Sequence, residues 1–244
     1  MIILNIVDIL IIIFILLCIV TGCNRGIIKE GMNVLGTILM VVISFSLMGT
    51  LANAFYKFLP FFPLGLGKIN LTALNILLYQ ILAFAIIFSI LNLIFRIILT
   101  ITNIVDKLLN ALIIMKPVSS FLGGIVGFIS GVVVSFVILL ILSVPLSGFK
   151  TFHESKITNF ILDKTPLFAP LTQNITNATN DIYKLVSNIN DEEEKIKNAN
   201  KYNLEAMDIM LKYKLITPEN LEILQKQNKL NSITGIENII NKYK

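Results

Sequence analysis

The residue best placed to do chemistry is an acid inside an apolar run. Asp8 lies in residues 2–20, a stretch otherwise interrupted only by Asn5. A helix that began after Asp8 would be too short to cross a bilayer, so the carboxylate is expected in the outer leaflet or at its boundary. Acids at that depth are costly and mark functional sites. Three interpretations stay open: an interfacial acid that reaches solvent, a structural pair with Lys57 or Lys68, or a proton or ion site.

A second charged group follows this apolar run. Arg25, Gly26, Lys29 and Glu30 lie in residues 21–31, whose composition predicts a tight polar turn between two helices. Because Lys and Arg concentrate in the cytoplasmic loops of membrane proteins, the two bases indicate a cytoplasmic turn.

Glycine recurs at every fourth position at Gly123, Gly127 and Gly131. Small residues at this spacing form one helix face that another helix can approach at backbone distance. Two partners fit this face: another helix of the same chain, or the same helix of a second copy in a homo-oligomer.

Other reactive side chains are few, with two cysteines and one histidine. Cys18 and Cys23 are poorly spaced for one helix face, so we interpret both as small apolar residues. Residues 20–23 resemble a bacterial lipobox, but the first eight residues lack the Lys or Arg of a signal peptide. His153 has no nucleophile motif beside it. We therefore predict no enzyme activity, no catalytic residue, no metal and no cofactor.

The elements that must position these residues follow from the composition. The chain has 244 residues, 55% hydrophobic and only 14% charged, with a net charge of +5. Just ten of its 35 charged residues lie in residues 1–146, which predicts a membrane domain there and a polar extension in residues 147–244. The bases are not clustered with aromatic residues, which argues against a nucleic-acid partner.

Four apolar stretches are long enough to cross the hydrocarbon core of a bilayer. They are residues 2–20, 32–54, 71–99 and 121–142. Backbone groups in lipid must pair within their own segment, so an all-α polytopic fold with four transmembrane helices is predicted. Residues 57–70 contain prolines and glycines that predict a loop. Residues 100–116 show one apolar face and predict an interfacial amphipathic helix that ends at Pro117.

The residue pattern of the extension predicts amphipathic helices. Residues 171–189 carry an apolar seam, made of Leu171, Ile175, Ala178, Ile182, Leu185 and Ile189. Residues 191–194 form an acidic start to a further helix. Thr217 and Pro218 predict the start of another, with a capping hydroxyl and a proline in the first turn. The seam could pack within the extension or bind another protein.

Orientation follows from the bases beside the spans. Five lie in the first and third connectors, namely Arg25, Lys29, Arg96, Lys107 and Lys116, against Lys57 and Lys68 on the opposite side. This count predicts that both termini are extracytoplasmic. Lys150, Lys156 and Lys164 follow the fourth span and argue the other way.

These motifs together resemble the colicin V production protein (CvpA) family of bacterial multi-pass membrane proteins. The resemblance rests on residues 6–10 with their early acid, the turn of Arg25 to Glu30, and the glycines of residues 121–127. It covers roughly residues 1–165. An arginine that the family usually carries after these glycines is replaced here by Phe128 or Ile129.

The resemblance implies a location in the cytoplasmic (inner) membrane and a role in bacteriocin production. Some relatives carry an exported serine protease after four helices, but this extension has no comparable nucleophile turn. We therefore expect a non-enzymatic accessory or scaffold in toxin production or export and envelope maintenance, whose extension binds an unidentified protein. The alternative is a small channel or transporter subunit that uses Asp8 and the glycine-rich helices.

Overall fold

The computed structural model describes residues 5–66, 69–102, 116–146, 149–165, 168–187, 197–230 and 233–244. Its three long helices are α1 (Ile6–Phe58), α2 (Ala73–Thr102) and α3 (Lys116–Ser143). A two-residue antiparallel ladder joins β1 (Gly65–Leu66) to β2 (Ile69–Asn70). The described part of the extension adds six shorter helices: α4 (Lys150–His153), α5 (Lys156–Lys164), α6 (Ala169–Ser187), α7 (Ala199–Lys212), α8 (Pro218–Lys226) and α9 (Ile236–Lys242).

All three long helices have the length and apolar character needed to cross a membrane. Their outer surfaces are apolar as well: Leu10 is 61% exposed, Leu35 69% and Leu93 61%. So many large apolar side chains can remain exposed only in an apolar solvent, the interior of a bilayer. The chain is therefore an integral membrane protein.

The prediction of a polar turn over residues 21–31 is wrong in its length. Helical backbone continues on both sides of a single non-helical residue, Gly26, at φ 76° and ψ 167°. Glycine adopts a positive φ without steric cost, so one residue suffices to redirect the chain. Polar groups beside this break find partners: the Ser120 hydroxyl of α3 donates a hydrogen bond to the Cys23 backbone carbonyl, and the Arg25 side chain pairs with Glu30.

The first half of α1 packs antiparallel to α3 at backbone distance. The contacts run in opposite order along the two helices: Ile15 with Gly131, Cys18 with Gly127, Gly22 with Gly123, and Gly26 with Ser119. The residues in contact are spaced by four along α3 and by three or four along α1, as expected for one face of each helix.

The second half of α1 packs antiparallel to α2. Gly36 lies against the Phe95 ring, and the rings of Phe45 and Phe84 lie 4.7 Å apart between centroids. Nearer the end of α1, the Tyr56 hydroxyl contacts the carbonyl of Ile76. The end of α1 therefore lies beside the start of α2.

Both ends of α1 contact the helical extension. The Asn5 side chain donates a hydrogen bond to the Thr151 carbonyl, and the Asn220 side chain donates one to Asn53. A straight helix of this length would measure roughly 80 Å, far more than one membrane crossing. The halves must therefore fold back at Gly26, which returns the second end to the side on which the first began.

The remaining boundaries differ by a few residues from those predicted. The stretch predicted at 121–142 begins earlier, at Lys116, so Pro117 lies in the first turn of α3, where its missing N–H costs nothing. The interfacial helix predicted at 100–116 falls mostly outside the described residues. Residues 100–102 belong to α2.

The extension packs on itself through the predicted seam. Ile175, Ala178 and Ile182 are fully buried, while Leu171 and Leu185 are partly buried against the core and Ile189 lies outside the described residues. The predicted acidic start at 191–194 also lies outside them. The Thr217 cap is confirmed, since its side chain accepts a hydrogen bond from the Asn220 N–H.

The extension also shares one continuous hydrophobic core with the long helices. The rings of Phe136, on α3, and Phe168 stack with centroids 4.6 Å apart. Polar contacts cross the same boundary: Asn203 accepts a hydrogen bond from the Thr72 N–H, and the Gln80 side chain donates one to the Leu215 carbonyl. The extension is therefore fixed against the membrane helices at several separate places.

Candidate functional site: a buried acid and a polar cavity

The buried carboxylate of Asp8 joins the start of α1 to the extension. Its Oδ1 accepts hydrogen bonds from the Ser155 hydroxyl at 2.6 Å and from the Ile157 N–H at 3.0 Å. Its Oδ2 accepts the Asn5 N–H at 3.0 Å, and Asn5 in turn caps α1 by accepting from the Asp8 N–H. We call Asn5, Asp8, Ser155 and Ile157 the Asp8 clamp.

Ser155 is the central residue of the extension's half of the clamp. It is fully buried and is the N-cap of α5, accepting the Thr158 N–H at 3.0 Å. Its oxygen also lies 2.7 Å from the Thr158 hydroxyl. Since the one proton of Ser155 goes to Asp8, the Thr158 hydroxyl must donate in that contact. One serine therefore starts α5 and binds α1 at the same time.

The clamp changes the interpretation of Asp8. The acid is 1% exposed, so an interfacial carboxylate that reaches solvent is wrong. The predicted lysine pairing is also not observed: Asp8 bonds to a hydroxyl and two backbone N–H groups, and Lys68 lies outside the described residues. A carboxylate that loses its water needs such donors to remain buried. The geometry favours a structural role over an ion-conducting one, because both carboxylate oxygens are engaged.

The three predicted glycines lie against the first half of α1. A Cβ atom at Gly127 would come within 2.5 Å of the Cys18 carbonyl oxygen, and one at Gly123 within 2.3 Å of the Gly22 carbonyl oxygen. Gly131 is less tight, at 3.1 Å from the Ile15 Cα. Contacts this short leave no room for any side chain. The glycine face is thus occupied within the chain.

The predicted charged turn lies at the opposite end of the helices from the Asp8 clamp. Glu30 is 3% exposed and accepts a hydrogen bond from the Arg25 guanidinium at 3.3 Å, while Lys29 is exposed. Gly26 supplies the turn that brings Arg25 and Glu30 together.

A cavity of about 710 Å³ opens beside this ion pair, between α1, α2 and α3. We call it the arginine cavity, because both arginines of the chain, Arg25 and Arg96, line it. Its volume lies in the range of small-molecule sites. The Arg96 guanidinium is held by Asn92, one turn earlier on α2, at 3.1 Å.

The remaining reactive side chains are packed as ordinary structural residues. His153 stacks on Tyr183 with ring centroids 3.9 Å apart, and its Nδ1 lies 3.3 Å from the Asn180 side chain. Cys18 and Cys23 are free thiols that face α3. Within the described residues no cluster of His, Cys, Asp and Glu has the arrangement of a metal site.

The sequence did not identify Ser155 as a site residue, and Arg96 was counted only among the bases that indicate membrane orientation. Ser155 did carry a local signal, because Ser-x-x-Thr before an apolar run is typical of a helix N-cap. Nothing local indicated that it would meet Asp8, 147 positions earlier. The meeting of Arg25 and Arg96 likewise depends on how α1 packs against α2.

Lys229 fixes the extension to the far end of α1. Its ammonium donates hydrogen bonds to the Tyr56 and Lys57 carbonyls, and burial lowers the pKa of Lys229. We expect Lys229→Met to destabilise the folded protein by about 1–3 kcal/mol, because two helix-terminal carbonyls lose a charged donor. Thermal unfolding of the purified chain in detergent measures this loss.

The matched control is Lys226→Met, at an exposed position of α8. It removes the same charge and should leave the unfolding temperature nearly unchanged. Equal unfolding temperatures for both variants would contradict a docking role for Lys229.

The comparisons with known proteins address the same regions. The sequence model for the colicin V production protein family matches residues 7–166, more than half of the chain. The matched range holds Asp8, Ser155, both arginines and the α3 glycines. No curated protein and no solved structure matches the chain. The chain belongs to the colicin V production protein family.

Proposed function

We propose that this protein is a non-enzymatic scaffold of the bacterial inner membrane, an accessory in the production or export of colicin V-type toxins and in envelope maintenance. In this proposal the long helices cross the bilayer four times, twice in α1. The extension forms a fixed helical cap on the extracytoplasmic side and engages a protein partner there.

The main support for this proposal is the way in which the extension is attached to the long helices. Buried or partly buried hydrogen bonds tie it to the start of α1, the end of α1 and the start of α2. Domains joined only by a linker reorient freely, whereas a cap bonded at three places keeps one orientation relative to the membrane. A surface with a constant orientation suits a protein whose task is to position others.

The topology supports an extracytoplasmic cap through the charge rule. In the sequence, five bases flank the predicted first and third connectors, the first of which contains Gly26, against Lys57 and Lys68 on the opposite side. Three lysines at the start of the cap oppose this count. A reporter fused after Lys244 that is active only outside the cytoplasm tests the orientation; a signal from a cytoplasm-specific reporter would reverse it.

The functional test uses a strain that secretes a colicin V-type bacteriocin and lacks this chain. We expect the released toxin to fall in that strain and to be restored by the full-length protein, as measured by inhibition of a sensitive strain. Unchanged release without the chain would refute a role in toxin export.

A photo-crosslinking residue tests whether the cap engages a partner. Phe160, on α5, is a large apolar side chain of the cap that is 60% exposed. We expect crosslinks from position 160 to a component of the secretion machinery, identified by mass spectrometry. The control position is Lys201, on α7, which is also exposed. The same products at both positions would argue against a specific surface.

A small transporter subunit is the second candidate, favoured by the arginine cavity. The residues originally expected to form a path do not line it: Asp8 is in the clamp, and the α3 glycines face α1. Flux of anions in reconstituted vesicles would support transport if it depends on Arg96, and the absence of such flux would favour the scaffold.

A further inference from the structure

The geometry points to the arginine cavity as a binding site for one anionic phospholipid, with its phosphate at Arg25 and Arg96 and an acyl chain between α2 and α3. The inference does not rest on the scaffold function, since a scaffold and a transporter could both hold such a lipid. It rests on the charge of the cavity, its aliphatic wall on α3 and its position between the helices.

The charge of the lining favours an anion. Among the described lining residues the charged ones are Arg25, Arg96 and Glu30, which leaves one net positive charge. Glu30 is bonded to Arg25, so Arg96 presents the charge that this pair does not balance. Arginine binds phosphate through a planar fork of donors that lysine lacks. Eighteen of the twenty bases in this chain are lysine, yet both arginines are at this cavity.

The lining is polar on α1, mixed on α2 and mostly aliphatic on α3. Arg25 lies beside the break at Gly26, and Arg96 and Thr100 lie near the end of α2, so both arginines are at the same end of the membrane helices. Toward the start of α2 the lining passes through Asn92 and Ser89 to Phe88, roughly 18 Å from Thr100 at the rise of a helix. On α3 the lining begins at Ser130 and is then aliphatic, formed by Val134, Val137, Ile138 and Ile141.

The position of the cavity gives access from the bilayer. Both α2 and α3 pack chiefly on α1 and contact each other little, so the cavity occupies the gap between them. Ile138, which lines it, is 42% exposed on the surface that faces lipid. A soluble anion would use only the polar mouth, whereas a phospholipid satisfies both the arginines and the apolar depth. Basic pockets between transmembrane helices bind lipid headgroups in this way.

Native mass spectrometry of the detergent-purified chain tests this site. We expect one phosphatidylglycerol molecule to remain bound, with phosphatidylcholine of the same acyl chains retained at least about tenfold less. Arg96→Gln should lower phosphatidylglycerol retention by about tenfold, because it removes the charge that Glu30 does not balance. Arg96 is exposed and bonds within its own helix, so this variant is expected to fold.

Lys116→Gln is the matched control. Lys116 starts α3 at the same end of the molecule and is exposed, but it does not line the cavity. It should retain the lipid within about twofold of the unmodified chain. Ile138→Trp is a second test that leaves all charges in place and fills the acyl path, so it should also lower retention.

Two outcomes would overturn the proposal. Equal retention by Arg96→Gln and Lys116→Gln would mean that the lipid is held only by general surface charge. Displacement of phosphatidylglycerol by inorganic phosphate would mean that the site takes a soluble anion and that the acyl path contributes nothing.

Discussion

Replacing Gly127 with alanine should lower the unfolding temperature of the purified protein by roughly 5–10 °C. The added Cβ would lie 2.5 Å from the Cys18 carbonyl oxygen and 3.1 Å from the Gly22 Cα. These are backbone atoms, which cannot move by changing a rotamer, so the two helices must separate. Overpacking of this kind costs about 1–3 kcal/mol, and a rigid backbone contact falls at the upper end of that range.

Gly49→Ala supplies the control for this experiment. Gly49 also lies in α1, but a Cβ there meets no atom within 4 Å. Alanine favours helix over glycine, so this variant should be neutral or slightly stabilised. Gly127→Leu should be more severe than Gly127→Ala. If Gly127→Ala and Gly49→Ala unfold at the same temperature, the close packing of α1 on α3 is wrong.

The comparison of Gly127→Ala with Gly49→Ala also tests whether the glycine face forms contacts between copies of the chain. An oligomer built through the Gly123–Gly127 face would need that face to be free, but in the structure the first half of α1 covers it. Gly127→Ala is therefore expected to act on the stability of a single chain. A change confined to the oligomeric state, at unchanged unfolding temperature, would reassign the glycine face to contacts between copies.

The sequence predicted features that depend on local chemistry. Apolar length indicated the membrane helices, the Thr217-Pro218 pair indicated a helix start, and the glycine spacing indicated a close-packed face. Each of these depends on residues within a few turns of one another. Such patterns remain visible without knowledge of the fold.

The sequence did not predict which distant residues would meet. The polar composition of residues 21–31 predicts a tight turn, whereas in the structure these residues are helical except at Gly26, and their partners come from α3 and from one another. For Asp8 the sequence leaves open an interfacial acid, a pair with Lys57 or Lys68, and a proton or ion site. Its actual partners are a serine hydroxyl and backbone N–H groups, which only the docking of the extension brings near.

Replacing Asp8 with alanine should release the first helices of the extension from the membrane helices. The change removes three accepted hydrogen bonds and leaves the buried Ser155 hydroxyl without its acceptor, at a cost of about 3 kcal/mol or more. Hydrogen exchange, followed by mass spectrometry in lipid nanodiscs, should then show faster exchange in α4 and α5. Membrane insertion should be unaffected, because the apolar length of α1 is unchanged.

Asp8→Asn keeps the shape but not the chemistry of the clamp. Its amide oxygen can still accept from Ser155 and Ile157, yet its NH2 group would then face the Asn5 N–H, donor against donor. We expect an intermediate effect. Asp208→Asn is the matched control, because Asp208 pairs with Lys242 in a partly exposed contact, and such pairs contribute about 1 kcal/mol or less.

A double-mutant cycle separates the structural role of Asp8 from an ion-conducting one. If the role of Asp8 is to hold the clamp together, Asp8→Ala and Ser155→Ala should show a coupling energy of about 1–3 kcal/mol, since either change breaks the same hydrogen bond. If Asp8 is instead an ion site, the effects of the two substitutions on stability should be additive, because ion binding would not depend on Ser155. Additive energies together with unchanged exchange in α5 would show that the carboxylate does not hold the extension in place.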